Sequence, residues 1–286
     1  MAETQKVVIK WAGKELTIPV EDGDTVASLK RKIEVETLVQ PKRQKLLGLK
    51  AKGGKLAQDD SLVADLLLKP GAKVMMMGQP ETDIAATDQQ AEVAPHVQDD
   101  FDVKEGELQE IDAAEQEENL EKLRRRVASV TVKVLNAPRP GKKCLVLDID
   151  YTIFDLNSTA ERPHELARPY LHQFMTAAYE HYDLVIWSAT SMKWVEVKMR
   201  ELGVTTHPDY KISFMLDNRA MITVKTAKYG LFDCKPLAFI WAKFPEVYNR
   251  DNTIMFDDLR RNYVMNRQNG LVIRPYHKRR PATVKS

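Results

Sequence analysis

The chain has 286 residues, 43% of them hydrophobic, with 43 Lys and Arg against 41 Asp and Glu. That apolar content suffices for one large buried core or two small ones, and no apolar run reaches the roughly eighteen residues a membrane span needs. The two cysteines, Cys144 and Cys234, suit a reducing compartment. Thiol-phosphatase chemistry is excluded, because Asp150 and Ile240 stand where a Cys-x5-Arg phosphate loop would require Arg.

The opening residues MAETQKVVIK lack the apolar core of a signal peptide, so the protein is expected inside the cell. Charge is distributed unevenly. Residues 1–78 carry a net +4, residues 79–121 a net −14, and residues 122–286 a net +12. A basic carboxyl-terminal part suits an anionic partner or a phosphorylated substrate.

In chain order, Lys6–Trp11 and Glu15–Val20 flank Gly13-Lys14 and predict a hairpin. Asp24 or Thr25 then caps a helix whose Val26, Leu29 and Ile33 share one face. Pro41, a strand over Gln44–Leu49, a Gly53-Gly54 turn and a last strand over Lys73–Met77 complete a small α+β roll. The run Gly48–Lys55 superficially suggests a phosphate loop, but Gly54, Lys55 and Leu56 do not supply the required Gly-Lys-Ser/Thr order.

The order and spacing of this unit resemble ubiquitin-like β-grasp domains across residues 6–78. In such domains the outward residues of the third and last strands bind partners. Strand alternation assigns that role here to Leu47, Leu49, Met75 and Met77. No Gly-Gly terminus follows Met77, so a binding module is expected and not a conjugated modifier.

Residues 80–128 read as an acidic flexible linker, poor in aromatics, ending in a helix that begins near Glu115. That helix has acids early and Arg124-Arg125-Arg126 late, as its dipole favours. The linker separates residues 1–79 from a second unit over 129–286.

In the second unit three apolar runs end in polar residues: Cys144–Leu147 at Asp148, Asp183–Trp187 at Ser188, and Thr253–Phe256 at Asp257-Asp258. Helical stretches over Tyr170–His181 and Lys193–Leu202 separate the runs, which predicts a parallel sheet covered on both faces. Ligands bind beyond the carboxyl ends of such strands, where these polar residues would converge. The stretch Tyr210–Tyr229 reads as an inserted hairpin, with arms at Ile212–Leu216 and Ala220–Val224.

Asp148 and Asp150 need a use, because like charges after a buried strand are costly unless neutralised. A calcium EF-hand shares Asp-x-Asp-x-Thr but requires Gly at its sixth position and Glu at its twelfth, where Ile153 and Thr159 stand. A glycosidase pair would flank a sugar at greater separation. Phosphoryl transfer fits. A hard cation such as Mg2+ would take oxygens from Asp148, the Asp150 carbonyl and one of Asp257-Asp258. Asp148 would attack phosphorus, Asp150 would move the proton, Ser188 would hold phosphate oxygens, and Lys235 would stabilise charge in the transition state.

Asp148-Ile149-Asp150-Tyr151-Thr152, then Ser188, Lys235 and Asp257-Asp258, resemble the four motifs of the haloacid dehalogenase superfamily. Within it, Arg168-Pro169-Tyr170-Leu171 and Trp187-Ser188-Ala189-Thr190 are similar to phosphatases that act on the RNA polymerase II C-terminal domain. The resemblance implies a Rossmann-like α/β catalytic domain behind a ubiquitin-like β-grasp domain. It also implies a nuclear, Mg2+-dependent phosphoserine/phosphothreonine phosphatase that docks on the proteasome and dephosphorylates it there. It places Thr152 with Ser188 and Lys235 among the phosphate-binding residues and favours Asp258 over Asp257 as metal ligand. No direct nucleic-acid or membrane binding is implied. A proteasome-binding adaptor with an idle catalytic domain and a small-molecule phosphatase of the same superfamily are the alternatives. The Lys278–Arg280 cluster near the end is a weak candidate for nuclear import.

Overall fold

The computed structural model describes residues 5–51, 57–68, 73–78, 80, 113–114, 116–158 and 160–278. The Gly53-Gly54 turn, residues 81–112 of the acidic linker and Arg279-Arg280 lie outside the described residues. The chain forms two compact units, each with its own hydrophobic core. No helix among the described residues is long and apolar enough to cross a membrane.

In the first unit β1 (Gln5–Trp11) and β2 (Lys14–Val20) form an antiparallel hairpin. Its two-residue turn places Ala12 and Gly13 at φ 51° and 82°, the left-handed pair that matches strand twist. The strand β4 (Lys73–Met77) runs parallel to β1, and β3 (Lys45–Leu47) pairs antiparallel with β4, giving a mixed sheet in the order β2-β1-β4-β3. Helix α1 (Val26–Thr37) lays Val26, Leu29 and Ile33 against Val7, Ile9, Ile18, Val74 and Met76. Its cap is Thr25, whose hydroxyl accepts from Ser28 N–H at 3.2 Å while Ser28 Oγ accepts from Thr25 N–H at 2.9 Å. Asp24 supports the cap by accepting from Ser28 Oγ at 2.7 Å and Lys32 Nζ at 2.6 Å.

The expected outward patch is corrected. Leu47, Leu49 and Met77 are only 3%, 4% and 5% exposed, and Met75 is half-buried. Gly48, at φ 84°, breaks the alternation after β3, so Leu49 turns into the core with Val74 and Met76. Leu47 faces Met75 across the β3–β4 pair. Met77 lies where Gly78 packs so closely on Arg43 that an added Cβ would stand 2.6 Å from the Arg43 carbonyl oxygen.

In the second unit five strands, all parallel, are ordered β11-β10-β5-β6-β7. They are β5 (Lys143–Leu147), β6 (Tyr182–Trp187), β7 (Ile212–Leu216), β10 (Thr253–Asp257) and β11 (Gly270–Val272). From β5 the chain winds outward through β6 and β7, then returns to β10 on the other side. The topological switch therefore lies between β5 and β10, where ligands bind in open α/β sheets. Helices α2 (Glu117–Ser129), α3 (Leu171–Tyr179), α4 (Met192–Glu201) and α5 (Ala238–Lys243) accompany the sheet. The core joins Val146, Val185, Phe214 and Met255 of the sheet to Leu123 of α2 and to Phe239 and Ile240 of α5.

The inserted hairpin is also corrected. Ile212–Leu216 is entirely buried and pairs parallel with β6, whereas the antiparallel hairpin joins β8 (Ile222–Thr226) to β9 (Gly230–Cys234). A run apolar at nearly every position belongs inside a two-sided sheet, not in a half-exposed hairpin arm.

Candidate active site

The strand β5 is buried from Cys144 to Leu147 and delivers Asp148 to the sheet's carboxyl edge, where the Asp148 N–H bonds the Phe256 carbonyl of neighbouring β10 at 3.0 Å. Beyond it the chain turns tightly. The Ile149 carbonyl accepts from the N–H groups of Thr152, Ile153 and Phe154, at 3.2, 2.9 and 3.0 Å. Tyr151 takes φ 60°, a strained conformation for an aromatic residue. Arg168 braces this turn, with Nε donating to the Thr152 carbonyl at 2.6 Å and Nη2 to the carbonyls of Tyr151 and Arg274 at 3.2 and 2.6 Å.

Lys235, just past β9, is fully buried and donates to Asp148 Oδ1 at 2.5 Å and Asp257 Oδ2 at 2.7 Å. Asp257, at the end of β10, also accepts from Asn262 Nδ2 at 2.8 Å and from the Leu259 N–H at 2.9 Å. Asp148, Asp257 and Asp258 each offer a carboxylate oxygen within 4.8 Å of the others, and all three are buried. Burial pushes the Asp258 carboxyl up to about 7, with the Asp257 charge adding to the rise and Lys235 opposing it. Burial likewise raises Asp148 against the pull of the Lys235 ammonium. Burial alone would lower Lys235, but Asp148 and Asp257 hold it above its ordinary value and keep it charged.

Asp150 faces a second ammonium. Lys198 Nζ donates to both of its carboxylate oxygens, at 2.6 and 2.8 Å. Ser188 follows β6, the other neighbour of β5, and its hydroxyl engages Thr190 Oγ1 at 3.0 Å and accepts from the Thr190 N–H at 3.2 Å. Thr152 is buried, and its hydroxyl has no hydrogen-bond partner among the described residues. Direct contacts thus join Asp148, Lys235 and Asp257, with Asp258 beside them, while Asp150 is tied to Lys198 and Ser188 stands on the adjoining strand end. Lys198 and Asn262 were not singled out from sequence, and Arg168 was noted without a role. A signal for Lys198 exists: it falls on the stripe that Trp194, Val195 and Met199 bury.

Four acidic side chains (Asp148, Asp150, Asp257, Asp258) gather around the Lys198 and Lys235 ammonium groups. Arg168 interacts electrostatically with Asp258, and burial raises Asp148 and Asp258, so the cluster resists full ionisation. The sequence profile of NLI interacting factor-like phosphatases matches residues 143–283, and that of the ubiquitin family matches residues 7–81. A zebrafish (Danio rerio) ubiquitin-like domain-containing CTD phosphatase 1 is 55% identical over 95% of this chain and 85% of its own length. The chain belongs to the ubiquitin-like domain-containing CTD phosphatases. An Arabidopsis thaliana member is 53% identical, covering 96% of this chain and 79% of the relative. A Homo sapiens member is also 53% identical, over 95% and 85%. The charged cluster at the β5–β10 edge thus falls in the phosphatase portion of a ubiquitin-like domain-containing CTD phosphatase, and the chain is a protein phosphatase.

Proposed function

We propose that the chain is a Mg2+-dependent phosphoserine/phosphothreonine phosphatase that works through an aspartyl-phosphate intermediate on Asp148. The observation that supports it is the buried set Asp148, Asp257 and Asp258, with Lys235 held between two of them. Clustered hard oxygen donors whose full ionisation is resisted by burial suit a divalent cation, which would take the place of their protons. Asp148, Asp258 and the Asp150 carbonyl would hold it, since Asp257 already accepts from Lys235, Asn262 and the Leu259 N–H. When bound, Mg2+ supplies positive charge that lets an anionic phosphate approach an acidic site.

The chain's own groups do the rest. Asp148 ends a rigid central strand, so its attacking oxygen is fixed relative to the sheet. Lys235 offsets Asp148's charge and keeps positive charge beside the phosphoryl group during transfer. Asp150, on the turn braced by Arg168, gives a proton to the departing seryl or threonyl oxygen and then takes one from the water that hydrolyses the intermediate. Ser188, Thr152 and N–H groups after β6 accommodate phosphate oxygens.

The test is Mg2+-dependent phosphate release from a short phosphoserine peptide by the full chain. Asp148→Asn should lower turnover by at least about 1,000-fold. No turnover with metal present would refute the phosphatase assignment for such substrates, and turnover surviving in Asp148→Asn would refute the nucleophile.

We further propose that the ubiquitin-like unit carries the enzyme to the proteasome, in the nucleus. Met75, half-buried on β4 where Leu47 of β3 and Met77 are buried, is the residue to change. Met75→Glu should reduce co-sedimentation of the full chain with purified proteasome, and undiminished binding would reject Met75 as part of the contact. Imaging of a tagged full chain checks the compartment.

A further inference from the structure

Lys198 carries a charge into an apolar helix face. The buried residues of α4 are Trp194, Val195, Lys198 and Met199, and Lys198 is only 5% exposed. Its ammonium lies 5.7 Å from the centre of the Phe154 ring, and both oxygens of Asp150 accept from it. A buried ammonium is costly, and replacing such a pair with packed apolar side chains often leaves a fold as stable or more so. Packing of α4 therefore does not call for a lysine here, whereas Asp150 does. The Asp150 side chain is 21% exposed and has a rotatable carboxyl group, on a turn whose backbone Arg168 fixes at Tyr151 and Thr152. Arg168 secures the main chain, and Lys198 secures the plane of the carboxyl group.

We propose that Lys198 is a positioning residue for proton transfer, holding the Asp150 carboxyl group in line with the leaving oxygen. This rests on the role given to Asp150 above. In the first half-reaction an Asp148 oxygen bonds to phosphorus, the bond from phosphorus to the leaving oxygen breaks, and the Asp150 proton passes to that oxygen. In the second half, a water oxygen bonds to phosphorus, the bond to Asp148 breaks, and the water proton returns to Asp150. Both transfers need the same carboxyl oxygen at hydrogen-bond distance from two successive partners. A group free to rotate about its side-chain torsions would meet that geometry only part of the time.

The test compares two leaving groups in the full chain with Mg2+. A seryl alkoxide needs a proton to depart, whereas p-nitrophenolate does not. Lys198→Met should lower kcat on a phosphoserine peptide about 10–100-fold, with KM within about twofold. Its loss in the first-turnover burst of p-nitrophenolate, which precedes the Asp150-assisted hydrolysis that both substrates share, should stay below about threefold. Lys198→Arg, which retains donors and charge, should recover part of the peptide rate. Equal losses in the peptide rate and the burst, or an unchanged peptide rate, would overturn the proposal. Thermal unfolding establishes that the variant is folded; if Lys198→Met is not, Lys198→Gln is read on the same two substrates. Asp150→Asn in parallel separates the two levels of the argument. Leaving-group selectivity in Asp150→Asn but not at Lys198 rejects only the positioning role. No selectivity in Asp150→Asn rejects the role of Asp150 and this inference with it.

Discussion

At the scale of single residues, Lys235 illustrates what a buried ion cluster costs and does. It is fully buried, bonded to Asp148 and Asp257, and its charge is the nearest compensation for both. Lys235→Met should destabilise the protein by about 3–5 kcal/mol, because two desolvated carboxylates lose their shared cation. The same change should lower kcat on a phosphoserine peptide at least about 100-fold. Added Mg2+ should then raise the melting temperature of the variant by more than it raises that of the unsubstituted protein, since the metal becomes the cluster's main counter-charge. Equal shifts would mean that Lys235 does not balance these acids. Asp148 and the pair Asp257-Asp258 are legible from sequence because each ends an apolar run that marks a sheet edge, whereas Lys235 and the choice of Asp258 over Asp257 rest on the resemblance to the superfamily's motifs. Lys198 is not legible, because its partner lies 48 residues earlier in the chain and only the turn after β5 brings Asp150 to α4.

At the scale of elements, an apolar run identifies the strands at the centre of the sheet and leaves the one at its edge ambiguous. Continuous apolar runs identified β5, β6 and β10, since both faces of a parallel sheet are covered. The run at Ile212–Leu216 has the same composition, but Asp217-Asn218-Arg219 and a second apolar run follow it, and local sequence cannot separate a hairpin arm from an edge strand of the sheet. Register was limited likewise at β3, where Gly48 reverses the parity that alternation assumes and sends Leu49 inward. The amino terminus of α1 was legible because its cap is local. There Asp24 is held down to about 2 by Lys32, the Glu21 N–H and Ser28, against an ordinary 3.8. A folded-state pKa below the unfolded value stabilises the fold above about pH 4, and that contribution is lost as pH falls through about 2. Asp24→Asn should therefore cost about 1–2 kcal/mol at pH 7, after allowance for solvent screening of a partly open site. The difference between the two proteins in denaturant unfolding should shrink between pH 4 and 2 and vanish below. A difference that persists at pH 2 would assign the effect to lost packing instead.

At the scale of the whole molecule, two separate cores carry two separate chemistries, and a cation should distinguish them. The first unit closes around Val7, Ile9, Leu29, Ile33 and Met76, far in sequence from any cluster of buried acids. In the second, the edge between β5 and β10 gathers four acidic side chains around Lys198 and Lys235, so full ionisation there would bring together like charges that the unfolded chain disperses. A ligand that binds only the folded second unit stabilises it by mass action, by about 2.7 kcal/mol at a free concentration one hundred times its Kd. Mg2+ should accordingly slow hydrogen exchange at the amides of β5 and β10, including Asp148 N–H, which bonds across those two strands at 3.0 Å. A chelator should reverse the effect, and the amides of β1 to β4 should exchange at an unchanged rate throughout. Protection rising equally in both units would point to general ionic stabilisation, and no change at β5 and β10 would reject the metal site itself. Because exchange is read segment by segment, the outcome does not depend on catalysis and tests the cation's place in the fold separately from its part in the reaction.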